Sequence, residues 1–242
     1  MNSKIVTVND VKYLITNEHD AIQSKLVNNQ QWNSEIVDII KEFVKKYNLK
    51  HFLNIGSHIG TVCLPISKII NDVTAIEAYN ETYIHLLTNI EINGIKNVKT
   101  FNIAIGDRKE EINFLKIVDR TRNNMGGMHV ITKRDIENNS RSSELVDETK
   151  KCNMYPLDEV DEIDNFDILL VDIEGMDENF LIGAKNKIIK NKPIIIMEIW
   201  SDYKRRMENM KLSQKDIIDM IEGFGYKLYK IMEDDFIFLP IV

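Results

Sequence analysis

Cysteine and proline are scarce in this chain, and no stretch of it stays apolar for long. Cys63 and Cys152 are the only two cysteines in 242 residues, which excludes a disulfide framework and any metal-knuckle spacing. Both read as free thiols used for packing. The four prolines are scattered, and no internal repeat or low-complexity linker marks a boundary. No apolar run approaches the roughly 20 residues of a membrane span, and residues 1–17 lack the apolar region and cleavage site of a secretory signal. Positive charge is also short: the net charge is -7 and the sequence pI about 5.4. That balance disfavours nucleic acid as a partner. These absences predict a soluble, cytoplasmic protein. Asn, Ile and Lys are frequent, as in NKIIKNKPIII from Asn186 to Ile196, a bias that suggests an AT-rich genome; if that source is a virus, the cytoplasm is the host's.

With 43% hydrophobic residues, the chain is long enough to bury one substantial core. We read 1–242 as a single domain, with an N-terminal hairpin and helices in 1–48 and an α/β core in 49–242. The hairpin pairs 5–8 with 11–15 across Asn9-Asp10. Helical patterns follow over 20–27 and 34–47, where Ile36, Ile39, Ile40, Phe43 and Val44 keep helical spacing. From His51 strands and helices alternate: strand 51–55, helix 60–70, strand 73–77, helix 80–93 and strand 98–103. The alternation resumes with strand 167–172, helix 177–190, strand 193–199, helix 213–223, and strands 226–231 and 235–239. Continuous apolar runs such as Ile168–Val171 suit strands covered on both faces. The last two strands are too close for a crossover and must pair antiparallel. The fold class is therefore α/β, a Rossmann-like, doubly wound, mostly parallel seven-stranded sheet with an antiparallel last strand. Between strands, 107–151 is largely polar and reads as a substrate lid, apart from a possible strand over 111–118.

Chemistry-bearing residues cluster at strand ends, where ligands bind in open α/β sheets. In NIGSHIG, Asn54 to Gly60, Gly56 lets backbone approach a ligand and Gly60 starts a helix. Ser57 and His58 crowd the turn, so a ligand without a pyrophosphate fits better than a dinucleotide, whose turn wants a third glycine. The alternative is a structural turn. Glu77 ends the next strand, where a carboxylate accepts hydrogen bonds from both hydroxyls of an adenosine ribose or caps the following helix. Asn102 ends the third strand, either at an adenine edge or in a Gly-Asp turn. Asp172 and Glu174 sit at i and i+2 and share a face if the strand continues. They suit a contact to substrate or to the amino acid portion of a cofactor, with Asp172 the cofactor-binding candidate, a general base or, with Glu198, a divalent ion such as magnesium, which needs few protein ligands; Glu174 also suits a helix cap. His129 is the titratable lid residue, or a solvated one. Lys204-Arg205-Arg206 reads as a solvated helix face.

Taken together, FLNIGSHIGTVCLPISK, AIEAYNETYIHLLTNIEINGIKNVKTFNIAIGD, NNMGGMHVI, YPLDEVDEIDNFDILLVDIEG with GAKNKIIKNKPIIIMEIW, and YKLYKIMEDDFIFLP resemble the FkbM family of methyltransferases from about Asp20 to Pro240. The resemblance implies S-adenosylmethionine as methyl donor and O-methylation of a hydroxyl, often on a sugar or glycan. By position it places Gly56, Ser57 and Gly60 at the cofactor turn, Glu77 at the ribose, Asn102 at the adenine and Asp172 at the reaction centre. The chain departs from the family at Asn54, where Asp is usual, and at His58, where Asn is usual. Competing readings are a nucleic-acid methyltransferase acting on an RNA cap or 2'-hydroxyl, a non-catalytic S-adenosylmethionine-binding protein and, last, an NAD oxidoreductase. The acceptor's identity and the oligomeric state are not encoded in these patterns.

Overall fold

The structure, a computed structural model, describes residues 3–115, 130–131 and 146–241. Two compact units divide the chain, one of residues 1–102 with 117–128 and one of 103–116 with 129–242.

In the first unit, β1 (Lys4–Val8) and β2 (Val11–Ile15) form the expected antiparallel hairpin. Asn9 and Asp10, at φ 47° and 63°, supply the left-handed pair that a two-residue turn needs. Helix α1 (Ala21–Val27) starts where Asp20 accepts the Ile22 and Gln23 amides. Helix α2 (Ser34–Tyr47) buries Ile36, Ile39, Ile40, Phe43 and Val44, the periodic face of its sequence. Strands β3 (His51–Ile55), β4 (Asp72–Ile76) and β5 (Val98–Phe101) pair in parallel in the order β3-β4-β5. Between them lie α3 (Cys63–Ser67) and α4 (Asn80–Ile92). Helix α3 is much shorter than the expected 60–70. Gly60 holds φ 95°, outside helical space, and Pro65 removes one amide donor. A Cβ on Gly60 would meet Leu64 and Leu86 at 2.8 and 2.9 Å, so a side chain there would displace both leucines and strain the backbone.

The second unit opens with β6 (Ala104–Ile105), β7 (Glu110–Leu115), β8 (Val130–Ile131) and β9 (Val146–Tyr155). They form a sheet in the order β6-β9-β7-β8, with β7 antiparallel to both β8 and β9. Both ends of the segment read as a polar lid are therefore strands: the Ile112, Phe114, Cys152 and Met154 side chains are buried. The first is the possible strand read over 111–118, found at Glu110–Leu115; the second, Val146–Tyr155, is a strand that a high polar content conceals. Residues 116–129 and 132–145 lie outside the described residues.

Next come β10 (Ile168–Val171), α5 (Asp177–Asn191), β11 (Ile194–Glu198), α6 (Asp202–Met207), α7 (Gln214–Gly223), β12 (Tyr226–Met232) and β13 (Asp235–Pro240). Strands β10 and β11 are parallel, β13 runs antiparallel to β11, and β12 antiparallel to β13. All four residues of β10 are buried, as its unbroken apolar run requires. Of the seven strands of the α/β pattern, the first unit thus supplies β3, β4 and β5, and the second β10, β11, β12 and β13. The class is the expected one, mostly parallel with an antiparallel last strand. Among the described residues no helix is long and apolar enough to cross a membrane.

The basic cluster is corrected by this unit. Arg205 is not on a solvated face but 1% exposed. Its guanidinium pairs with buried Asp177 and donates from Nε to the Leu212 carbonyl at 2.7 Å. Because Asp177 opens α5 and Arg205 lies in α6, this pair ties the two helices together. Asp177→Ala strands the arginine as an uncompensated buried charge and is expected to cost about 3–5 kcal/mol in chemical denaturation.

Candidate active site

At the end of β3 the turn amides are already used: Gly56 and Ser57 donate to the Ile76 carbonyl at 3.0 and 2.9 Å. Ser57 Oγ donates to the Asn54 carbonyl at 2.9 Å. The turn is thereby fastened to β4, with Gly56 at φ 80° and His58 at φ 48°. What it leaves over is side-chain chemistry. Among the described residues, both amide atoms of buried Asn54 and both ring nitrogens of His58 have no hydrogen-bond partner. Such atoms cost of order 1–3 kcal/mol each when nothing pairs with them. Burial pushes the His58 imidazole down to about 4, with His85 adding to the effect and Asp20 opposing it. His58 is neutral near pH 7 as a result.

Beneath the turn a polar scaffold holds it in place. Asn89 donates to the Ile59 carbonyl at 2.9 Å and accepts the Leu14 amide at 2.8 Å. His85 pairs with the Leu14 carbonyl at 2.7 Å. The hairpin is thus wired to the turn through α4. Nothing in the sequence marks Asn89 and His85 as functional, because on a helix they look like ordinary polar positions.

Glu77 follows the last residue of β4. Its two carboxylate oxygens each accept one backbone amide, from Tyr79 and from His58, both at 2.8 Å. It therefore ties the residue preceding α4 to the glycine turn. The carboxylate retains further acceptor capacity. Burial pushes the carboxyl up to about 7, against the opposing pull of the Tyr79, His58 and Ala78 amides. Asn102, the candidate for the adenine edge, is anchored beside Glu77. Its Nδ2 donates to the Glu77 and Ala78 carbonyls at 2.8 and 3.0 Å, so both donor hydrogens support the Glu77 loop.

In the second unit the acidic residues come together. Single oxygens of Asp172, Glu174 and Glu198 lie within 4.8 Å of one another. The route is not the strand face that i, i+2 spacing implies: β10 stops at Val171 and Glu174 takes a left-handed φ of 47°. Helix α5 opens at Asp177, and its N-cap residue Met176 supplies no side-chain cap bond. Burial first, then Glu198, Glu174 and Asp235, hold the Asp172 carboxyl well above the usual carboxylate range; Lys204 alone opposes them. Glu198 is pushed up to about 7, by burial and then by Glu174. Its Oε2 accepts the Trp200 indole N–H at 3.0 Å. Lys204 is 3.6 Å from Glu174 and 4.0 Å from Glu198. No sequence pattern points to Trp200 or Lys204 as part of this cluster, although Glu198 is legible at this edge as the end of its strand. His129 and the NNMGGMH stretch lie outside the described residues.

A family model described as the methyltransferase FkbM domain matches residues 54–228. No curated protein matches the chain by sequence. Similar solved structures include a putative O-methyltransferase from Klebsiella pneumoniae, at TM-score 0.51 and 10% identity over 87% of this chain and 82% of that one. Magnesium protoporphyrin IX methyltransferase from Synechocystis, solved with bound SAM, gives a TM-score of 0.51 and 8% identity over 91% and 84%. A methyltransferase FkbM from Methylobacillus flagellatus matches at TM-score 0.48 and 15% identity, over 78% of this chain and 43% of its own. The chain thus spans less than half of that protein, and 50% of a T. thermophilus 16S rRNA methyltransferase that it also resembles. At such identities the structural likeness shows the fold alone.

Proposed function

Because the chain belongs to the methyltransferase FkbM domain family, we propose that it transfers the methyl group of S-adenosylmethionine to a hydroxyl oxygen, that of a sugar or glycan. The observation that carries the cofactor reading is Glu77, fixed by the Tyr79 and His58 amides with acceptor capacity left on its carboxylate. That is the group a ribose diol requires. The buried, unpartnered atoms of Asn54 and His58 fit a polar ligand at the same turn. Gly56, Ser57 and Gly60 shape that turn, and Asn102 holds the Glu77 loop to it.

When bound, S-adenosylmethionine supplies a methyl group already activated on a sulfonium. The chain's own work is to orient the acceptor, exclude water and take a proton. Asp172 is the proposed general base, with Glu174 and Glu198 beside it and His129 as the further candidate. A neutral hydroxyl is a poor nucleophile, and a positioned base contributes on the order of 10²–10⁴-fold. The nucleic-acid reading loses its best patch, since Arg205 is buried in an ion pair and Lys204 faces two carboxylates.

Asn54 gives a further expectation. Asn54→Asp restores a negative charge beside a cationic ligand, so binding of S-adenosylmethionine tightens by about tenfold, or ~1.4 kcal/mol. The ligand-free variant is less stable, because the new charge is buried. Calorimetry finding no gain in affinity would remove Asn54 from the cofactor site. The cofactor reading itself is tested by titrating S-adenosylhomocysteine and NAD into the full chain. One-to-one binding of the first and none of the second is the expected result; the reverse would turn the reading to oxidoreductase chemistry.

A further inference from the structure

Three carboxylates within 4.8 Å repel one another and resist ionising together unless a cation is placed among them. Here the cation belongs to the chain. Lys204 Nζ stands 3.7 Å from the centre of the Trp200 ring, 3.6 Å from Glu174 and 4.0 Å from Glu198. The indole beneath that ammonium is itself fully buried, and its N–H is spent on Glu198. The helix that carries it starts on the Ser201 hydroxyl, which accepts the Lys204 amide at 3.4 Å. The adjacent Arg205 is locked to Asp177. An ammonium held over an aromatic face and against two carboxylates loses little further freedom in staying there.

The arrangement is unequal among the three acids. Among the described residues Lys204 makes ion pairs with Glu174 and Glu198 but none with Asp172. Two acids in different surroundings take different roles. We propose that Lys204 is a positioning residue for methyl transfer: clamped against Trp200, it engages Glu174 and Glu198 and leaves Asp172 as the carboxylate that meets the acceptor. The inference rests on the methyl-transfer reading given above. With the ammonium in this place the trio is a carboxylate centre answered from within the chain and not a metal site.

The test compares Lys204→Met, which keeps length and removes charge, with Lys204→Arg, which keeps charge. The full chain is treated with a water-soluble carbodiimide and an amine at mildly alkaline pH, well above the value to which Glu198 is raised, and modified carboxyls are mapped by mass spectrometry. Carbodiimide reacts with protonated carboxyls, so loss of the ammonium exposes the two acids it held. Labelling of Glu174 and Glu198 is expected to rise about tenfold in the Met variant, the equivalent of one pH unit at the cluster. The Arg variant is expected to keep the parent pattern. Where turnover is measured, kcat falls in the Met variant, recovers in the Arg variant, and KM for S-adenosylmethionine stays put. Unchanged labelling in the Met variant overturns the proposal. If the parent protein transfers no methyl group to any acceptor, the methyl-transfer reading fails, and the labelling pattern still decides where Lys204 acts.

Discussion

Asp172→Asn is expected to lower kcat by roughly 10²–10⁴-fold, the share a positioned base contributes, with binding of S-adenosylhomocysteine unchanged. The substitution keeps the shape of a residue that follows the fully buried β10 and removes its ability to take a proton. A pH profile separates this from a packing defect. Burial and the neighbouring Glu198, Glu174 and Asp235 hold the Asp172 carboxyl well above its ordinary range. The folded chain therefore binds that proton more tightly than the unfolded chain. Its contribution to stability is full below the ordinary carboxylate range and is lost as pH rises through the raised value. Catalysis runs the other way. Only the ionised form accepts a proton, so kcat climbs with pH until Asp172 is ionised and then levels. A full-rate Asp172→Asn enzyme would move the base elsewhere, with His129 the next candidate.

The second large effect is expected at Glu77. Glu77→Ala removes two charge-assisted acceptors for the ribose, each worth about 1.5–3 kcal/mol, so binding of S-adenosylhomocysteine weakens by roughly 10²–10⁴-fold. It also releases the His58 and Tyr79 amides, which makes the turn itself looser. Glu77→Gln separates the two losses in part, since its single carbonyl still accepts one amide. The carboxyl sits at about 7 in the ligand-free protein, and ribose hydroxyls donate to the ionised form. Affinity is therefore expected to fall as pH drops below about 7, approaching tenfold per unit. Affinity independent of pH across that range would mean that Glu77 does not meet the ribose.

Strand runs such as Ile168–Val171 and the helical face of α2 are legible in the amino-acid sequence because they are repeating patterns, and repetition survives in a single chain. The strand ends then place Glu77, Asp172 and Glu198 at the edge where α/β folds put their chemistry. Conformation and partnership at single residues are not legible in the same way. The left-handed turn at Glu174 breaks an inference that assumes a continuing strand. His58 also takes a left-handed φ, a state Asn adopts more readily than His. Arg205 and Lys204 look like solvent-facing charge because their partners, Asp177, Glu174 and Trp200, are 28, 30 and 4 residues away in the chain. The polar content of 107–151 conceals β9, visible only once it is paired with β7, the strand that 111–118 suggests.

The most direct test of the account is the fate of the methyl group. The protein is incubated with methyl-labelled S-adenosylmethionine and a panel of sugars and glycans, and the labelled product is located by mass spectrometry and NMR. The expected result is label recovered as a methyl ether on a sugar hydroxyl, abolished in Asp172→Asn and in Glu77→Ala. Label that stays on the cofactor despite tight binding, or that appears on nitrogen or in nucleic acid, would contradict it.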